Sequence, residues 1–363
     1  MKKTKQLCIA GGGTGGHVMP ALALADAARE TWKHLDVSFI GAERGLEAKL
    51  LPERGEHVLL LRMHAIQGAG ILQKLRVLCW EMPKAVLRIR QSWKKKRPDV
   101  LVGVGGYASA TGVLAALLSG IPVILYEQNA VPGLVNRTLA RFCKQVMLGF
   151  SQAAQHLPHA HCMYTGNIVR NSIAEVQWQA HKIPCLLVMG GSQGARFLNE
   201  KVPLACQQLK QEGFHFRVLH VCGNYQNPQA KVLALYQEAG IDAEVMPFCH
   251  DMPNFYAQGD VMMARAGAMS VSEASIVGMP CIFVPLPHAA DQHQWFNAQS
   301  VCEHGGGICI SQHETSLPAL VNVLKDTLCQ PKSLHDMHQV LKRIAKKDAK
   351  TSQLNVLSPW LES

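Results

Sequence analysis

The sequence predicts an α/β protein built from two doubly wound, Rossmann-like domains. Short apolar runs with strand character alternate with helical stretches along the chain. Two of those runs end in glycine-rich turns, and the two turns lie about half a chain apart. The alternation is typical of an open parallel sheet with helices on both faces. We expect the two domains to face each other across a cleft.

The second glycine-rich turn, Gly190–Ala195, is the more informative of the two. It follows the apolar run Cys185–Met189 and precedes a stretch with helical spacing. Such a junction directs free backbone N–H groups and the positive end of a helix dipole to one point, where a phosphate binds well. Ser192 adds a hydroxyl donor. Tight packing of helix on sheet is the alternative use of these glycines.

The first turn, Gly11–His17, follows the apolar run Leu7–Ala10 and precedes a helix expected to begin near Pro20, since proline suits the first helical turn. Histidine is the usual side chain for taking a proton from a hydroxyl, so His17 is a candidate general base. A hydrogen bond at the helix start is its alternative role.

The spacing of the first turn also satisfies the dinucleotide fingerprint GxGxxG, which makes an NAD(P)-dependent oxidoreductase a rival interpretation. That fingerprint needs an acidic residue at the end of the second strand to hold a ribose. Ile40 and Gly41 occupy that place, and Glu43 follows two residues later. An oxidoreductase also leaves the second turn unexplained.

Length and composition set broad bounds. A chain of 363 residues predicts two domains, and a net charge of +10 indicates an anionic partner. Its 12 cysteines include no Cys-x-x-Cys pair, which favours reduced thiols in a cytosolic protein over a disulfide framework or zinc site. The uncharged stretch 100–126 is long enough to span a bilayer. Its internal glycines and Pro122 instead favour a buried βαβ unit.

A basic segment follows an apolar stripe at positions 71, 75, 78 and 82. Between Glu81 and Asp99 there are seven cations and no acid. The stripe is typical of an ordinary amphipathic helix packed on a sheet. The alternative is a surface that rests on anionic lipid, because basic side chains are drawn to headgroups and apolar ones enter the boundary layer.

Two further segments suit a nucleotide sugar. Arg265–Glu273 follows a predicted strand and should open a helix at Ala268. Glu273 either offsets the helix dipole or accepts hydrogen bonds from the two hydroxyls of a ribose. The polar segment His288–Gln294 suits the hydroxyls of a sugar. It lacks the cysteine or second acid that would complete a metal site, so we expect no metal there.

In their order along the chain, these motifs resemble the MurG family of bacterial glycosyltransferases. The resemblance covers essentially the whole chain and rests on Gly11–Val18 with Pro20, Gly103–Tyr107, Glu127–Asn129, Gly166-Asn167 with Arg170, Gly190–Ala195, Arg265–Glu273 and Asp291–Gln294. Ile168 stands where the family usually has proline. The resemblance implies the two-domain GT-B architecture and an inverting transfer of N-acetylglucosamine (GlcNAc) from UDP-GlcNAc. The expected acceptor is the C4 hydroxyl of MurNAc in lipid I, undecaprenyl-pyrophosphoryl-MurNAc-pentapeptide, and the product is lipid II for peptidoglycan synthesis.

The resemblance also implies roles for particular residues. The UDP-GlcNAc site would be lined by Thr14, Gly15, Gly16, Asn129, Arg170, Ser192, Cys249, Ala268, Met269, Ser270, Val271, Ser272, Glu273 and Gln294. Glu273 would hold the ribose, the backbone of Cys249 would meet the uracil, and Ser192 with the helix starts would hold the pyrophosphate. His17 would be the general base or lie beside it. The acceptor side would comprise Gly105, Gly106, Tyr107 and Glu127.

The implied organisation has an N-terminal domain over 1–165 that takes the acceptor and the membrane, and a UDP-GlcNAc-binding domain over 166–341. A helix at about 342–363 would return to the first domain. Expected partners are UDP-GlcNAc, lipid I, an anionic membrane surface and cell-wall synthesis proteins, with no cofactor and no nucleic acid. The expected location is peripheral, on the cytoplasmic face of the inner membrane.

Three alternatives stay open from the sequence. The first is another GT-B enzyme, such as a lipid glycosyltransferase or a sugar-nucleotide epimerase. The oxidoreductase comes next, and a non-catalytic nucleotide-binding module comes last.

Overall fold

The computed structural model describes residues 4–13, 15–62, 70–328 and 330–362. The chain divides into two compact units. Unit 1 comprises Met1–Ile168 and Lys347–Ser363, and unit 2 comprises Val169–Lys346.

Unit 1 is organised around a sheet of seven strands. They are β1 (Lys5–Gly11), β2 (Leu35–Ala42), β3 (His57–Leu61), β4 (Val100–Gly105), β5 (Val123–Glu127), β6 (Gln145–Leu148) and β7 (Cys162–Tyr164). Their order across the sheet is β3-β2-β1-β4-β5-β6-β7, and neighbouring strands run parallel. Every residue of β4 and β5 is buried, as expected for strands covered on both faces.

The helices in the first segment of unit 1 cover this sheet. They are α1 (Gly15–Thr31), α2 (Glu47–Glu53), α3 (Ile71–Arg76), α4 (Met82–Trp93), α5 (Tyr107–Leu117) and α6 (Leu134–Leu139). A π-helical turn, Val77–Glu81, joins α3 to α4. The expected start of α1 near Pro20 is wrong, because the helix begins at Gly15 and contains Pro20. Proline has no N–H, so Pro20 cannot give the usual bond to the Gly16 carbonyl, and the helix tolerates that loss.

Unit 2 repeats the plan with six strands. They are β8 (Cys185–Met189), β9 (Arg217–Val221), β10 (Asp242–Met246), β11 (Val261–Ala264), β12 (Cys281–Phe283) and β13 (Gly307–Cys309). The order is β10-β9-β8-β11-β12-β13, again with parallel neighbours. The helices are α7 (Asn171–Ala174), α8 (Arg196–Gln211), α9 (Gln229–Glu238), α10 (Met252–Ala257), α11 (Ala268–Val277), α12 (His293–Cys302), α13 (Leu317–Leu328) and α14 (Pro331–Ile344).

The last helix, α15 (Ala349–Leu361), belongs to unit 1 and packs against α1. Leu354, Leu357 and Leu361 join the core formed by α1 and the sheet. The buried side chain of Gln353 donates to the Gly166 carbonyl at 2.7 Å. The end of the chain is therefore part of the core of unit 1.

The first six strands of unit 1 and the six strands of unit 2 have the same order, so the prediction of two doubly wound domains is confirmed. In this topology the chain reverses direction across the sheet between the first and fourth strands, and ligands bind at the carboxyl ends of those strands. In unit 1 these are β1 and β4, and in unit 2 they are β8 and β11. Both glycine-rich turns therefore lie where a doubly wound sheet binds its ligand.

Two other expectations concern single segments. The stretch 100–126 forms β4, α5 and β5, as predicted. Among the described residues, no helix is both long and apolar enough to cross a bilayer. The eleven cysteines within the described residues are free thiols, and Cys329 lies outside them.

Candidate active site

The turn Gly190–Ala195 joins β8 to α8. It is closed by a 2.9 Å hydrogen bond from the Gly194 N–H to the Gly191 carbonyl. Gly194 has a φ of 81°, and a Cβ there would collide with the Cys222 carbonyl, so the position requires glycine. The tight turn brings α8 directly against the end of β9.

The outer part of this turn is open to solvent. Ser192 and Gln193 are exposed, and no acceptor within the described residues pairs with their backbone N–H groups. α8 then begins after Ala195 with no side-chain cap. The first N–H groups of the helix and those of Ser192 and Gln193 are therefore available to an anion.

α11 begins beside this turn, because β8 and β11 pair with Met189 opposite Ala264. Gly267 is the N-cap residue, and no side chain caps the helix. In the described part of the chain, the N–H groups of Ala268–Ser270 have no acceptor, as is usual in a first helical turn. Two helix N-termini meet at one edge of the unit 2 sheet.

Two of the expected UDP-GlcNAc residues serve α11 itself. Val271 is buried in the core. The hydroxyl of Ser272 donates to the Ala268 carbonyl at 2.8 Å. Val271 and Ser272 adjoin the expected UDP-GlcNAc site because they lie on α11. Their side chains serve the helix itself.

Glu273 lies in the second turn of α11 and is partly buried. The Tyr256 hydroxyl donates to its carboxylate at 3.0 Å. Burial raises the pKa of Glu273, while the bond from Tyr256 and the positive charge of Arg170 act in the opposite direction. A partly buried carboxylate with one engaged oxygen can accept further hydrogen bonds on the other.

The positive charge of Arg170 acts on both Glu273 and Cys249. Arg170 is exposed and directly precedes α7, which packs on α10 and α11. Burial raises the pKa of the Cys249 thiol, and the charge of Arg170 partly offsets that rise. Unit 2 therefore brings Arg170, Cys249 and Glu273 into one region.

Arg265 anchors the segment that follows β12. Its guanidinium donates to the carbonyls of Val284 at 2.9 Å and Pro285 at 3.1 Å, and to the Gln312 side chain at 2.8 Å. Burial lowers the pKa of Arg265. The cation thus fixes the direction in which the chain leaves β12.

The polar segment ends at the start of α12. The Gln294 side-chain carbonyl accepts from the Leu286 N–H at 3.0 Å, which closes the loop on itself. His293 Nδ1 donates to the Ala290 carbonyl at 2.7 Å, because a carbonyl can only accept. Within the described ranges, no group of three or more His, Cys, Asp or Glu side chains could hold a metal.

His17 lies in the first turn of α1, beside the turn that follows β4. Its Nδ1 is 3.1 Å from the Gly12 carbonyl. Because a carbonyl only accepts, Nδ1 carries the hydrogen, and Nε2 of the neutral ring is left with its lone pair. A Cβ on Gly105 would lie 2.8 Å from Nε2, so the backbone passes close to that nitrogen. The free nitrogen is the atom that a general base uses.

The other expected residues of unit 1 adjoin the two turns. Gly15 and Gly16 open α1, Gly106 is the N-cap of α5 with a φ of 82°, and Tyr107 is the first residue of α5. Thr14 lies outside the described residues.

Glu127 is 2% exposed, and its own loop engages both carboxylate oxygens. One accepts from the N–H and side-chain amide of Asn129, at 2.9 and 3.2 Å. The other accepts from the Gly133 N–H at 3.0 Å and the Asn136 side chain at 2.8 Å. Glu127 therefore shapes the loop after β5 and holds Asn129 in place.

Sequence reasoning missed Glu47, the fully buried first residue of α2. One carboxylate oxygen accepts from the Gly13 N–H at 2.7 Å, and the other from the Ala42 N–H at 2.8 Å. The acidic residue that the dinucleotide fingerprint requires at the end of β2 is therefore absent from that strand, and α2 supplies an acid there instead. Glu43, the nearer acid, pairs instead with Arg62 at 3.0 Å. The available sequence signal for this buried acid was the glycines Gly12, Gly41 and Gly45, which leave room for its side chain.

Comparison with known proteins decides the family. The Glycosyltransferase family 28 N-terminal domain matches residues 7–148, and the Glycosyltransferase family 28 C-terminal domain matches residues 185–353. A relative from Magnetococcus marinus is named UDP-N-acetylglucosamine--N-acetylmuramyl-(pentapeptide) pyrophosphoryl-undecaprenol N-acetylglucosamine transferase. It is 39% identical over 368 residues, which cover 99% of this chain and 98% of the relative. The chain belongs to the MurG family.

Two further comparisons agree with this assignment. A relative of the same name from Pseudoalteromonas atlantica is 36% identical over 95% of this chain and 93% of its own length. The crystal structure of MurG from Acinetobacter baumannii matches with a TM-score of 0.82 and 31% identity, over 98% of this chain and 99% of that one.

Family membership confirms the GT-B fold and identifies the chain as an N-acetylglucosaminyltransferase. It decides against the oxidoreductase and the non-catalytic binding module. The structure supplies a physical reason against the first, because the Glu47 carboxylate already occupies an N–H group that a dinucleotide phosphate would need.

Proposed function

We propose that this MurG-family enzyme transfers GlcNAc from UDP-GlcNAc to the C4 hydroxyl of MurNAc in lipid I. The observation that carries the proposal is the identity of 39% and 36%, over nearly the whole chain, to relatives whose names state this transfer between UDP-GlcNAc and the lipid-linked MurNAc. The products are lipid II and UDP.

Unit 2 binds UDP-GlcNAc in this proposal. The pyrophosphate accepts hydrogen bonds from Ser192, from the turn amides and from the starts of α8 and α11. Glu273 accepts from the ribose hydroxyls, and the backbone of Cys249 meets the uracil. Arg170 and Gln294 contact the phosphates and the sugar. The open amides, the uncapped helices and the partly buried carboxylate support these roles.

Leaving-group stabilisation comes from the same amides. As the anomeric carbon–oxygen bond breaks, its electron pair moves to the β-phosphate of UDP. Fixed N–H groups aimed at the growing charge lower the barrier by several kcal/mol in enzymes of many kinds. The proposal assigns this task to the chain's own groups and requires no cofactor.

Unit 1 supplies the acceptor chemistry. The C4 oxygen attacks the anomeric carbon from the face opposite UDP, which inverts the configuration, while its proton passes to Nε2 of His17. The tautomer fixed by the Gly12 carbonyl supports this role. Gly105, Gly106 and Tyr107 form the backbone that the acceptor meets. Glu127 acts through Asn129, since its own oxygens are engaged.

A UDP-release assay with a lipid I analogue tests the proposed function. With both substrates we expect UDP and the disaccharide product in equal amounts, and with UDP-GlcNAc alone we expect neither. An epimerase would change UDP-GlcNAc without the acceptor. UDP release that does not depend on the analogue would contradict the proposal.

The proposal also assigns to unit 1 a surface that binds an anionic membrane, which would make the enzyme a peripheral membrane protein. One face of α4 is buried in the core, as in an ordinary amphipathic helix. Leu75, Leu78 and Trp80 are exposed on the neighbouring turns, with Trp80 at 62%. The Lys84 ammonium lies 4.5 Å from the Trp80 ring centroid. Exposed apolar side chains beside cations suit the headgroup boundary.

Replacement of Lys94 and Lys95 by glutamine tests this surface. Both are exposed and form no ion pair with a described residue, whereas Lys96 pairs with Asp36. We expect weaker binding to vesicles of anionic lipid. The control variant carries glutamine at Lys201 and Lys231, two exposed lysines of unit 2. Equal binding of the first variant and the wild type, or of the wild type to neutral and anionic vesicles, would contradict the proposal.

A further inference from the structure

One peptide group connects the buried carboxylate of Glu47 with the imidazole of His17. The Gly13 N–H donates to Glu47 Oε2 at 2.7 Å. The Gly12 carbonyl accepts from His17 Nδ1 at 3.1 Å. This N–H and this carbonyl belong to the same planar amide, the Gly12–Gly13 peptide. The carboxylate, the peptide and the imidazole therefore form a continuous chain of hydrogen bonds.

The protein builds a closed cradle for this carboxylate. Glu47 is 0% exposed, and its second oxygen accepts from the Ala42 N–H at 2.8 Å. A Cβ on Gly12, Gly41 or Gly45 would collide with the Glu47 side chain, so all three chain segments approach closely only as glycine. No described cation forms an ion pair with Glu47. Within the described residues, the partners of this carboxylate are two backbone N–H groups, and the carboxylate polarises both.

We propose that Glu47 is a positioning residue for the transfer, acting on His17 through the Gly12–Gly13 peptide. The inference rests on the proposed function, in which His17 takes the proton of the acceptor hydroxyl. The carboxylate polarises the peptide and strengthens its carbonyl as an acceptor, because linked hydrogen bonds reinforce one another. That carbonyl then holds Nδ1–H, keeps Nε2 free for the incoming proton and stabilises the imidazolium that forms.

This arrangement replaces a direct carboxylate–histidine pair. Within the described residues, no carboxylate forms a hydrogen bond with His17. A buried carboxylate one peptide away gives the ring an oriented, negatively polarised acceptor without a second acid in the acceptor site. Removing the outer partners that orient metal-bound histidines commonly changes activity by about 10- to 100-fold, and we expect a similar scale for His17.

Glu47→Gln tests the inference with little change in size. The amide keeps one acceptor but directs its NH₂ group at one of the two backbone N–H donors. We expect kcat to fall about 10- to 100-fold, with the KM for UDP-GlcNAc unchanged. The matched control is Glu43→Gln, which removes the same charge four residues earlier, where the acid contacts exposed Arg62. Glu43→Gln should retain the wild-type kcat.

NMR supplies a readout that a merely structural role would not move. In ¹⁵N-labelled wild type, with His17 assigned by its loss in His17→Gln, we expect Nδ1 protonated and Nε2 unprotonated. The Gly13 amide proton should lie far downfield, as in a charge-assisted hydrogen bond. In Glu47→Gln that downfield shift should disappear, and His17 should lose its preference for the Nδ1-protonated tautomer. Should this variant not fold, the wild-type spectrum alone decides.

Three results would overturn the inference. They are wild-type kcat in folded Glu47→Gln, an Nε2-protonated His17 in the wild type, and an ordinary shift for the Gly13 amide proton. Failure of the proposed function is a separate result, because it appears as absent UDP release in the wild type. The NMR signature does not depend on turnover.

Discussion

The two glycine-rich turns, Gly11–His17 and Gly190–Ala195, share a sequence pattern and a place in the sheet but differ in charge environment. In the first, the protein's own carboxylate from Glu47 already accepts from the turn. In the second, Ser192 and Gln193 present N–H groups that no acceptor among the described residues engages. One turn therefore contains an anion of the protein, and the other is open to an anion from solution.

This difference separates two tasks that one motif can perform. A turn with free amides receives a phosphate. A turn whose amide is bonded internally becomes a fixed frame, and here its Gly12 carbonyl orients the His17 imidazole. Variants in the first turn should therefore change turnover, and variants in the second should change the binding of UDP-GlcNAc.

His17→Ala should give the largest effect. Loss of the general base should lower kcat by about 10²- to 10⁴-fold, since the acceptor hydroxyl is a poor nucleophile. Binding of UDP-GlcNAc, followed by calorimetry, should stay at the wild-type level. Unchanged turnover would remove His17 from the proposed role, and lost binding would remove the separation between the turns.

Glu273→Gln should weaken UDP-GlcNAc binding by about 10- to 100-fold, because hydrogen bonds to a charged group are lost. Burial raises the pKa of Glu273, so the wild-type carboxylate is protonated at a higher pH than an ordinary glutamate. The KM for UDP-GlcNAc should therefore rise as pH falls, and in Glu273→Gln it should not.

Tyr256→Phe sharpens this test. The bond from Tyr256 lowers the pKa of Glu273, so its removal should move the rise in KM to higher pH. A KM that is independent of pH in the wild type would contradict the ribose-binding role.

A matched pair of alanine variants tests the comparison at one glycine within the second turn and one glycine that lies against the first. Gly194→Ala strains a φ of 81° and collides with the Cys222 carbonyl, so it should raise the KM for UDP-GlcNAc about tenfold. Gly105→Ala places a methyl group 2.8 Å from His17 Nε2 and should lower kcat by about as much. Steady-state kinetics separates the two constants. The same pattern in both variants would count against the division of tasks.

The last prediction concerns the free energy of unfolding, through the side chains that support the second turn. His220 is fully buried, with Nε2 3.0 Å from the Asn199 Oδ1 and Nδ1 3.0 Å from the Tyr236 hydroxyl. The Asn199 amide in turn donates to the Cys222 carbonyl at 3.0 Å. This network ties the start of α8 to the strand end that the turn abuts.

Burial lowers the pKa of His220 to about 3, so the unfolded chain binds a proton below about pH 6.5 that the folded one does not. The free energy of unfolding should therefore fall by about 1.4 kcal/mol per pH unit from about pH 6.5 down to pH 3. Urea unfolding between about pH 7 and pH 5 measures the slope. His220→Gln should reduce the slope, and an equal slope would contradict the assignment.

The sequence was sufficient for features that local pattern determines. The strand Cys185–Met189, the turn after it and the start of α11 at Ala268 all follow from apolar runs, glycines and helical spacing. Both sheets are formed as expected, because buried parallel strands are continuous apolar runs. The roles of individual site residues stay predictions until they are tested by substitution.

The features that were missed depend on polar hydrogen-bond partners that hydrophobic periodicity does not reveal. Periodicity shows which face is apolar, but it does not show that Glu47 accepts from Gly13, 34 residues away. It also does not show that the loop after β5 engages both oxygens of Glu127. The start of α1 was misplaced because Gly15 and Gly16 are weak helix formers, so propensity alone does not predict a helix there.

The return of α15 to unit 1 makes the domains unequal as pieces of chain. Unit 2 is one uninterrupted segment, whereas unit 1 is assembled from both ends. A fragment cut after Ile168 would lack Leu354, Leu357 and Leu361 from its core and would expose the apolar face of α1. Anyone who dissects this enzyme should therefore express unit 2 as it stands and join the terminal helix to the N-terminal piece with a short linker.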